Sequence, residues 1–446
     1  MVSFVLRAAF TWFDRAFAAA LPNADVAQAA IGLAQPVEFL LIACWVGSSN
    51  GFTSRLSQAM GAGEGERVEQ LKRAIHRIIW ALVGLFVAVA VAIWFGAPRL
   101  GLDPELARGF QLYGVALIGG SAFTAFWAIL PDSIVKAHQD TRTTMWAGIV
   151  SSIVNVVLNA LFVFVFHWGL FGIGLSTAIG RLGGLAYSTW RARAHERARV
   201  AAGRDTRPGR FTRPLRAILM IAIPSGLTYV LMAVEGFLIN GILANSYGHL
   251  GLDPQALKTV QTDALAAWSV FGAALSFLAM PAIATGVAML PLAARLRGAG
   301  ALDRLDSELR TALGLWVGFA LLAGFPIAVV GWPWLCGALL DSERAIEMAL
   351  AARWLLPAAV AAMGPFVISR PLFDALSVSN LGLAMSAVRS LLLVVPLTWA
   401  GGHLAAGAGL EQITGCYAGI AAGLTLGSAL VVSTAMSRAR AARSSP

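Results

Sequence analysis

The sequence predicts an all-α polytopic membrane protein, with twelve transmembrane helices in two pseudo-symmetric six-helix lobes. Three observations predict it. Of 446 residues, 58% are hydrophobic and only 13% charged, with a mean hydropathy of +0.73, whereas a soluble domain carries about 25% charged residues. Several uncharged runs exceed the roughly 20 residues of helix that cross a bilayer: Ile78 to Pro98, Ala264 to Ala294 and Gln412 to Ser437. A glycine-rich charged segment that follows the second span recurs 237 residues later. β-Barrel strands would show short alternating segments instead.

In chain order the apolar spans fall at about 1–20, 27–57, 74–98, 109–135, 143–166, 170–190, 214–246, 264–294, 310–334, 347–373, 380–400 and 411–436. The first is short and carries Arg7, Asp14 and Arg15, so it does not read as a cleavable signal. The fifth and sixth share 38 residues, Thr143 to Gly180, without Asp, Glu, Lys or Arg. That is too long for one span, and the turn is expected at His167-Trp168-Gly169.

The longest polar stretch, RARAHERARVAAGRDTRPGRFTRPLR at 191–216, holds nine arginines. It divides the chain into an N-lobe at 1–195, an Arg-rich linker at 196–213 and a C-lobe at 214–446. The loop 294–310 and the tail 437–446 are basic, while the loops near 99–108, 248–263 and 341–347 are poor in Lys and Arg. Because basic residues are retained on the cytoplasmic side, the linker and both termini are expected there, in a bacterial inner membrane. The segments GAGEGERVEQLKR (61–73) and GAGALDRLDSELR (298–310) match at the 237-residue offset. Gly61-Ala62-Gly63 pairs with Gly298-Ala299-Gly300, Arg67 with Arg304, and Arg73 with Arg310. Acids also match: Glu66 with Asp303 and Glu69 with Asp306. The glycines suit a turn at a helix end, and the charges a surface helix that enters the next span. A six-helix unit repeated in parallel places a substrate site between the halves, an architecture of secondary transporters.

The composition excludes several other classes. Cys44, Cys336 and Cys416 lie far apart in apolar surroundings and form no C-x-x-C motif. The six histidines show no metal-ligand spacing. The net charge of +10 sits at helix ends, which fits a membrane surface rather than nucleic acid. There is no P-loop, G-x-S-x-G or H-E-x-x-H. Neither a catalytic residue, a cofactor nor a resident metal is expected, so energy for active transport would come from an ion gradient.

Polar groups inside spans carry the functional candidates. Ser151, Asn155 and Asn159 in the fifth span are spaced by four and form one stripe; by position alone they suit hydrogen bonding between helices. Asp14 lies in the first span and Glu38 in the second, where Glu38 has no assigned role. Asp132 with Lys136, and Arg370 with Asp374, are i,i+4 pairs that read as interfacial ion pairs. Arg389 lies within the eleventh span and could snorkel. Glu235 stands alone, with no Lys, Arg or His within ten residues. A carboxylic acid at the centre of a membrane helix costs about 3 kcal/mol, so its placement points to substrate or proton binding.

The stretches SQAMGAGEGE, KAHQDTRTTMWAGIVSSIVNVVLNALFVF and HWGLFGIGLSTAIG, with IPSGLTYVLMAVEGF and AIATGVAMLPLAARLRGAGA in the second half, resemble the multidrug and toxic compound extrusion (MATE) family of the multidrug, oligosaccharide and polysaccharide exporters. The resemblance covers nearly the whole chain. It implies a first-lobe cation site at Asp14, Asn155, Asn159 and Thr177, with Asn159 where the family usually has aspartate. Glu235 matches a helix 7 acid of one large branch. Asp374 is the nearest counterpart of that branch's helix 10 acid, although its register fits poorly.

The resulting expectation is a rocking, alternating-access antiporter. It exports organic, cationic or amphipathic small molecules against H+ or Na+ entry, and works in the bilayer as a monomer. The rival within the same superfamily is a flippase for lipid-linked oligosaccharides, which would want cationic groups for phosphates. A membrane enzyme or receptor would show a catalytic cluster or a soluble domain, and the sequence shows neither.

Overall fold

The computed structural model describes residues 14, 16–22, 24–99, 104–203, 207–245, 247, 253–340 and 342–443. Among the described residues there is no strand. Among the described residues ten helices are long and apolar enough to cross a membrane, and Pro254–Leu278 with Met280–Gly298, bent by 45° at the break, makes an eleventh when counted as one span. Of the expected first span, Asp14 and residues 16–19 are described and helical; residues 1–13 lie outside the described set.

The spans follow the apolar runs, and local signals set their ends. The fifth, Thr141–Ala160 continued by a π-helical turn Leu161–Val165, starts where Asp140 accepts a hydrogen bond from the Thr143 amide at 2.9 Å, which satisfies an otherwise orphaned helix-end donor. It stops at the expected turn, where His167 and Gly169 take φ of +54° and +51°. The second span, Ala24–Ala62, and the eighth, ending at Gly298, are each followed by a left-handed glycine: Gly63 at φ +71° and Gly300 at φ +72°. The next helices, Gly65–Gly96 and Asp303–Phe319, then begin with the matched charged segments.

The Arg-rich stretch, whose linker was expected at 196–213, begins as helix. The sixth span runs Gly169–Ala201. Its charged end is latched to the start of the third: Lys72 pairs with Glu196, and Arg199 reaches Glu196 at 3.0 Å and Glu69 at 3.4 Å. Residues 207–213 then lie along the glycine turn. The Arg207 amide donates to Gly63 O at 3.1 Å, the Phe211 amide to Gln70 Oε1 at 2.8 Å, and Arg67 covers the Phe211 ring at 4.9 Å.

The chain divides into two compact units, Met1–Leu227 with Leu290–Ala301, and Thr228–Met289 with Leu302–Pro446. The first is built around Phe52, Leu56, Ile75, Phe86, Phe126 and Ile173. Within it, glycines allow backbones to touch, the usual device of membrane helices. A Cβ on Gly61 would lie 2.3 Å from Arg295 O, and one on Gly298 would lie 2.0 Å from Gln58 O. In the second unit Phe366 and Phe373 of the tenth span, Leu355–Ala375, pack with Val431 and Ala435 of the twelfth, Gln412–Arg443. Phe237, Leu322, Val330 and Trp334 are highly exposed, which suits a surface that faces lipid.

Candidate functional site

The period-four stripe of the fifth span is buried: Ser151, Asn155 and Asn159 all point inward. Gly180 on the sixth span makes this possible, since a Cβ there would lie 2.8 Å from that of Asn155. The sixth span adds Ser176 and Thr177, and the first adds Asp14, also buried. Asn159 Nδ2 donates to Asp14 Oδ1 at 2.9 Å, and Thr177 Oγ1 to Asp14 Oδ2 at 2.8 Å. Asn155 Nδ2 donates to Thr177 Oγ1 at 3.0 Å, and Ser176 Oγ to Asn159 Oδ1 at 2.6 Å. The four residues matched from the sequence are therefore brought together, and Ser176 joins them unpredicted. Its only sequence signal was adjacency to Thr177. The amides do bond between helices, as their position suggested, but the network also converges on one carboxylate. The carboxylate accepts at both oxygens, from the Asn159 amide nitrogen and the Thr177 hydroxyl, and it is the one ionisable group in the network. Among the described residues no group of three or more His, Cys, Asp or Glu could hold a metal ion.

Asp14 and Thr177 open onto a cavity of about 250 Å³ inside the first unit, lined also by Gln35, Glu38, Trp45, Asp132 and Arg181. Arg181 contacts Glu38 Oε1 at 3.1 Å and donates to Ser121 Oγ. The Asp132–Lys136 pair exists at 3.8 Å, but Asp132 is buried and also accepts from Ser188 at 3.1 Å. Sequence reasoning left Glu38 without a role and passed over Arg181, the first charge after the 38-residue uncharged run.

In the second unit the isolation of Glu235 is corrected. Arg389 donates to it at 2.8 Å, and Ser390 donates to the same oxygen. The two donors are consecutive residues of a π-helical stretch, Val388–Val394, a geometry frequent at functional sites. Arg389 does not snorkel. It is 2% exposed, sits 4.3 Å from the Phe366 ring centre, and is given room by Gly427. The Arg370–Asp374 pair also exists, but it is buried rather than interfacial, and Arg370 further donates to Thr228 at 2.8 Å.

The MatE family model matches residues 1–161 and 256–400, more than half of the chain. The chain belongs to the MatE family. This MatE chain is 23% identical over 301 residues to the probable multidrug resistance protein YoeA of Bacillus subtilis, covering 66% of this chain and 61% of YoeA. It is 26% identical over 319 residues to the probable multidrug resistance protein NorM of Bradyrhizobium diazoefficiens, covering 68% of this chain and 62% of NorM. The chain thus spans less than two thirds of the length of these curated relatives. Its fold matches a MOP superfamily transporter from Pyrococcus furiosus with a TM-score of 0.82 at 18% identity, over 100% of this chain and 94% of that one. A family model for the lipid II flippase MurJ also matches residues 105–254 of this chain.

Proposed function

We propose that this chain is a secondary active exporter, which moves organic cationic or amphipathic compounds out of the cell in exchange for H+ or Na+ by rocking two six-helix lobes, 1–195 and 214–446, joined by a cytoplasmic linker at 196–213. It works in the inner membrane as a monomer with both termini in the cytoplasm. The observation that carries the reading is the buried Asp14 carboxylate. It is held by Asn159 and Thr177 and opens onto a cavity that lies inside one unit. A proton or Na+ at Asp14 neutralises the charge while the site is closed to water, and a cationic compound in the same cavity competes with that ion. Such competition at equilibrium is the thermodynamic core of antiport, because each ligand weakens the other by the same factor. The relatives' names as multidrug resistance proteins support an organic substrate. Glu235 is neutralised in place by Arg389, so the coupling ion is assigned to Asp14 rather than to Glu235.

The MurJ match favours a second reading, a flippase for a lipid-linked phosphate. The cavity speaks against it: a phosphate there would meet Asp14, Glu38 and Asp132 and a single arginine already paired with Glu38.

The test is efflux from proteoliposomes with proton and sodium gradients imposed separately. Wild type should transport a cationic dye under one of them, and well-folded Asp14→Asn under neither. Gradient-driven transport by Asp14→Asn at the wild-type rate would refute the assignment.

A further inference from the structure

The Glu38–Arg181 contact stands beside the Asp14 cluster without belonging to it. We propose that Glu38 anchors the cationic group of the transported compound and that Arg181 is its tethered stand-in. The compound displaces this guanidinium, which then turns to Asp14 and expels the coupling ion. The inference rests on the reading of Asp14 as the coupling carboxylate and adds the step that links substrate to ion.

Four observations support it. Arg181 follows Thr177 by one helical turn on the same face, and Thr177 Oγ1 lies 2.8 Å from Asp14 Oδ2. A turn advances about 5.4 Å, a gap that an arginine side chain spans. Arg181 therefore has both carboxylates within its sweep, one on the second span and one on the first. The pair it makes now is also a loose one. The two side chains are 26% and 24% exposed, against 2% and 12% for Arg389 and Glu235; a solvated ion pair is readily opened. The cavity wall beside Glu38 combines Leu41, Ile42, Trp45 and Tyr113, the apolar and aromatic surface that an amphipathic cation requires. Finally, the charged groups facing the cavity are few. Asp14 comes from the first span, Glu38 from the second, Asp132 from the fourth with Lys136 and Ser188 already on it, and Arg181 from the sixth; the fifth presents only Ser151 and Ala147.

The exchange balances. Before it, Arg181 neutralises Glu38 and the coupling ion neutralises Asp14. After it, the compound's cation neutralises Glu38 and Arg181 neutralises Asp14. One positive charge has entered the cavity and one H+ or Na+ has left it to the water, so the buried charge is unchanged. Arg181 thereby makes two ligands exclusive without requiring that they touch the same atoms.

The test uses the full chain in detergent with ethidium as the probe, measured by its fluorescence. Coupling-ion release is followed in the same titration, H+ by an indicator dye in weak buffer and Na+ by a radiolabel. Wild type should release coupling ion in proportion to ethidium bound. Glu38→Gln should weaken ethidium about tenfold or more and, because its released Arg181 turns to Asp14, should also weaken coupling-ion binding, which Glu38→Gln/Arg181→Gln restores and Asp14→Asn abolishes. Arg181→Gln should bind ethidium more tightly than wild type, since the competitor is gone, yet release no ion on binding it. Arg181→Lys should restore part of the release. If Glu38→Gln does not fold, the ion-release comparison of Arg181→Gln and Arg181→Lys decides alone. Ethidium affinity unchanged in Glu38→Gln, or full ion release in Arg181→Gln, overturns the proposal. Ion binding that survives Asp14→Asn overturns the underlying assignment instead, so the two failures are separable.

Discussion

Removing either partner of the Glu235–Arg389 pair should cost more than removing both. The pair is made at 2.8 Å, and Arg389 is 2% exposed, with its guanidinium over Phe366. Arg389→Met strands a carboxylate with only the Ser390 hydroxyl left to it, at a cost of about 3–5 kcal/mol. Glu235→Gln strands the guanidinium, whose Nε already lacks a hydrogen-bond partner among the described residues. Glutamine still accepts from Arg389 and Ser390, so its cost lies near the lower end, about 3 kcal/mol. The double variant Glu235→Gln/Arg389→Met strands no charge, and Met keeps the apolar stem between Phe366 and Gly427. Its cost should be about 1–2 kcal/mol, less than either single change. The assay is unfolding in detergent followed by a thiol-reactive fluorophore, because the buried free thiols of Cys336 and Cys416 lie in the same unit and become reactive as it opens. Additive effects, or single variants as stable as wild type, would show that the pair is hydrated and that the burial argument is wrong.

Three further outcomes are expected. Asn159→Asp places a second carboxylate where Asn159 Nδ2 now lies 2.9 Å from Asp14, so the variant should melt at a higher temperature in NaCl than in KCl, by a margin the wild type lacks; equal melting in both salts would refute this. Gly298→Ala would drive a Cβ to 2.0 Å from Gln58 O and should destabilise by on the order of 3 kcal/mol, whereas Gly84→Ala, with no atom within 4 Å of the new Cβ, should be neutral or stabilise by up to about 1 kcal/mol; melting temperatures of the two variants give the sign. Burial alone would raise the Asp140 carboxyl, but the Thr143 hydroxyl and amide, His195 and Arg191 outweigh it and hold the group well below the usual carboxylate range. The folded state therefore binds this proton more weakly than the unfolded chain. The contribution is complete at neutral pH and is lost as pH falls below about 4, so melting of Asp140→Asn should be less sensitive to pH than wild type between about pH 5 and 3.

The spans were legible because each is a long apolar run with few charges and the bilayer sets its length. The Asn155–Asn159 stripe was legible because period four is a property of one helix. The same logic explains what was missed. Glu235 and Arg389 are 154 residues apart, and Glu38 and Arg181 are 143 apart; only packing brings such partners together, and a local window sees each as a lone charge. The sixth helix was read eleven residues short, because Arg and Glu in series resemble a solvated linker until Glu69 and Lys72 of the third span are known to face them.

Gly61 meets Arg295 O, and Gly298 meets Gln58 O. Gln58 and Arg295 stand 237 residues apart, as do Gly61 and Gly298. Each contact is thus the other with its partners exchanged, the mark of an isologous interface about a local two-fold axis, here written inside a single chain. Each side of the contact is free to change only as far as the opposite backbone allows.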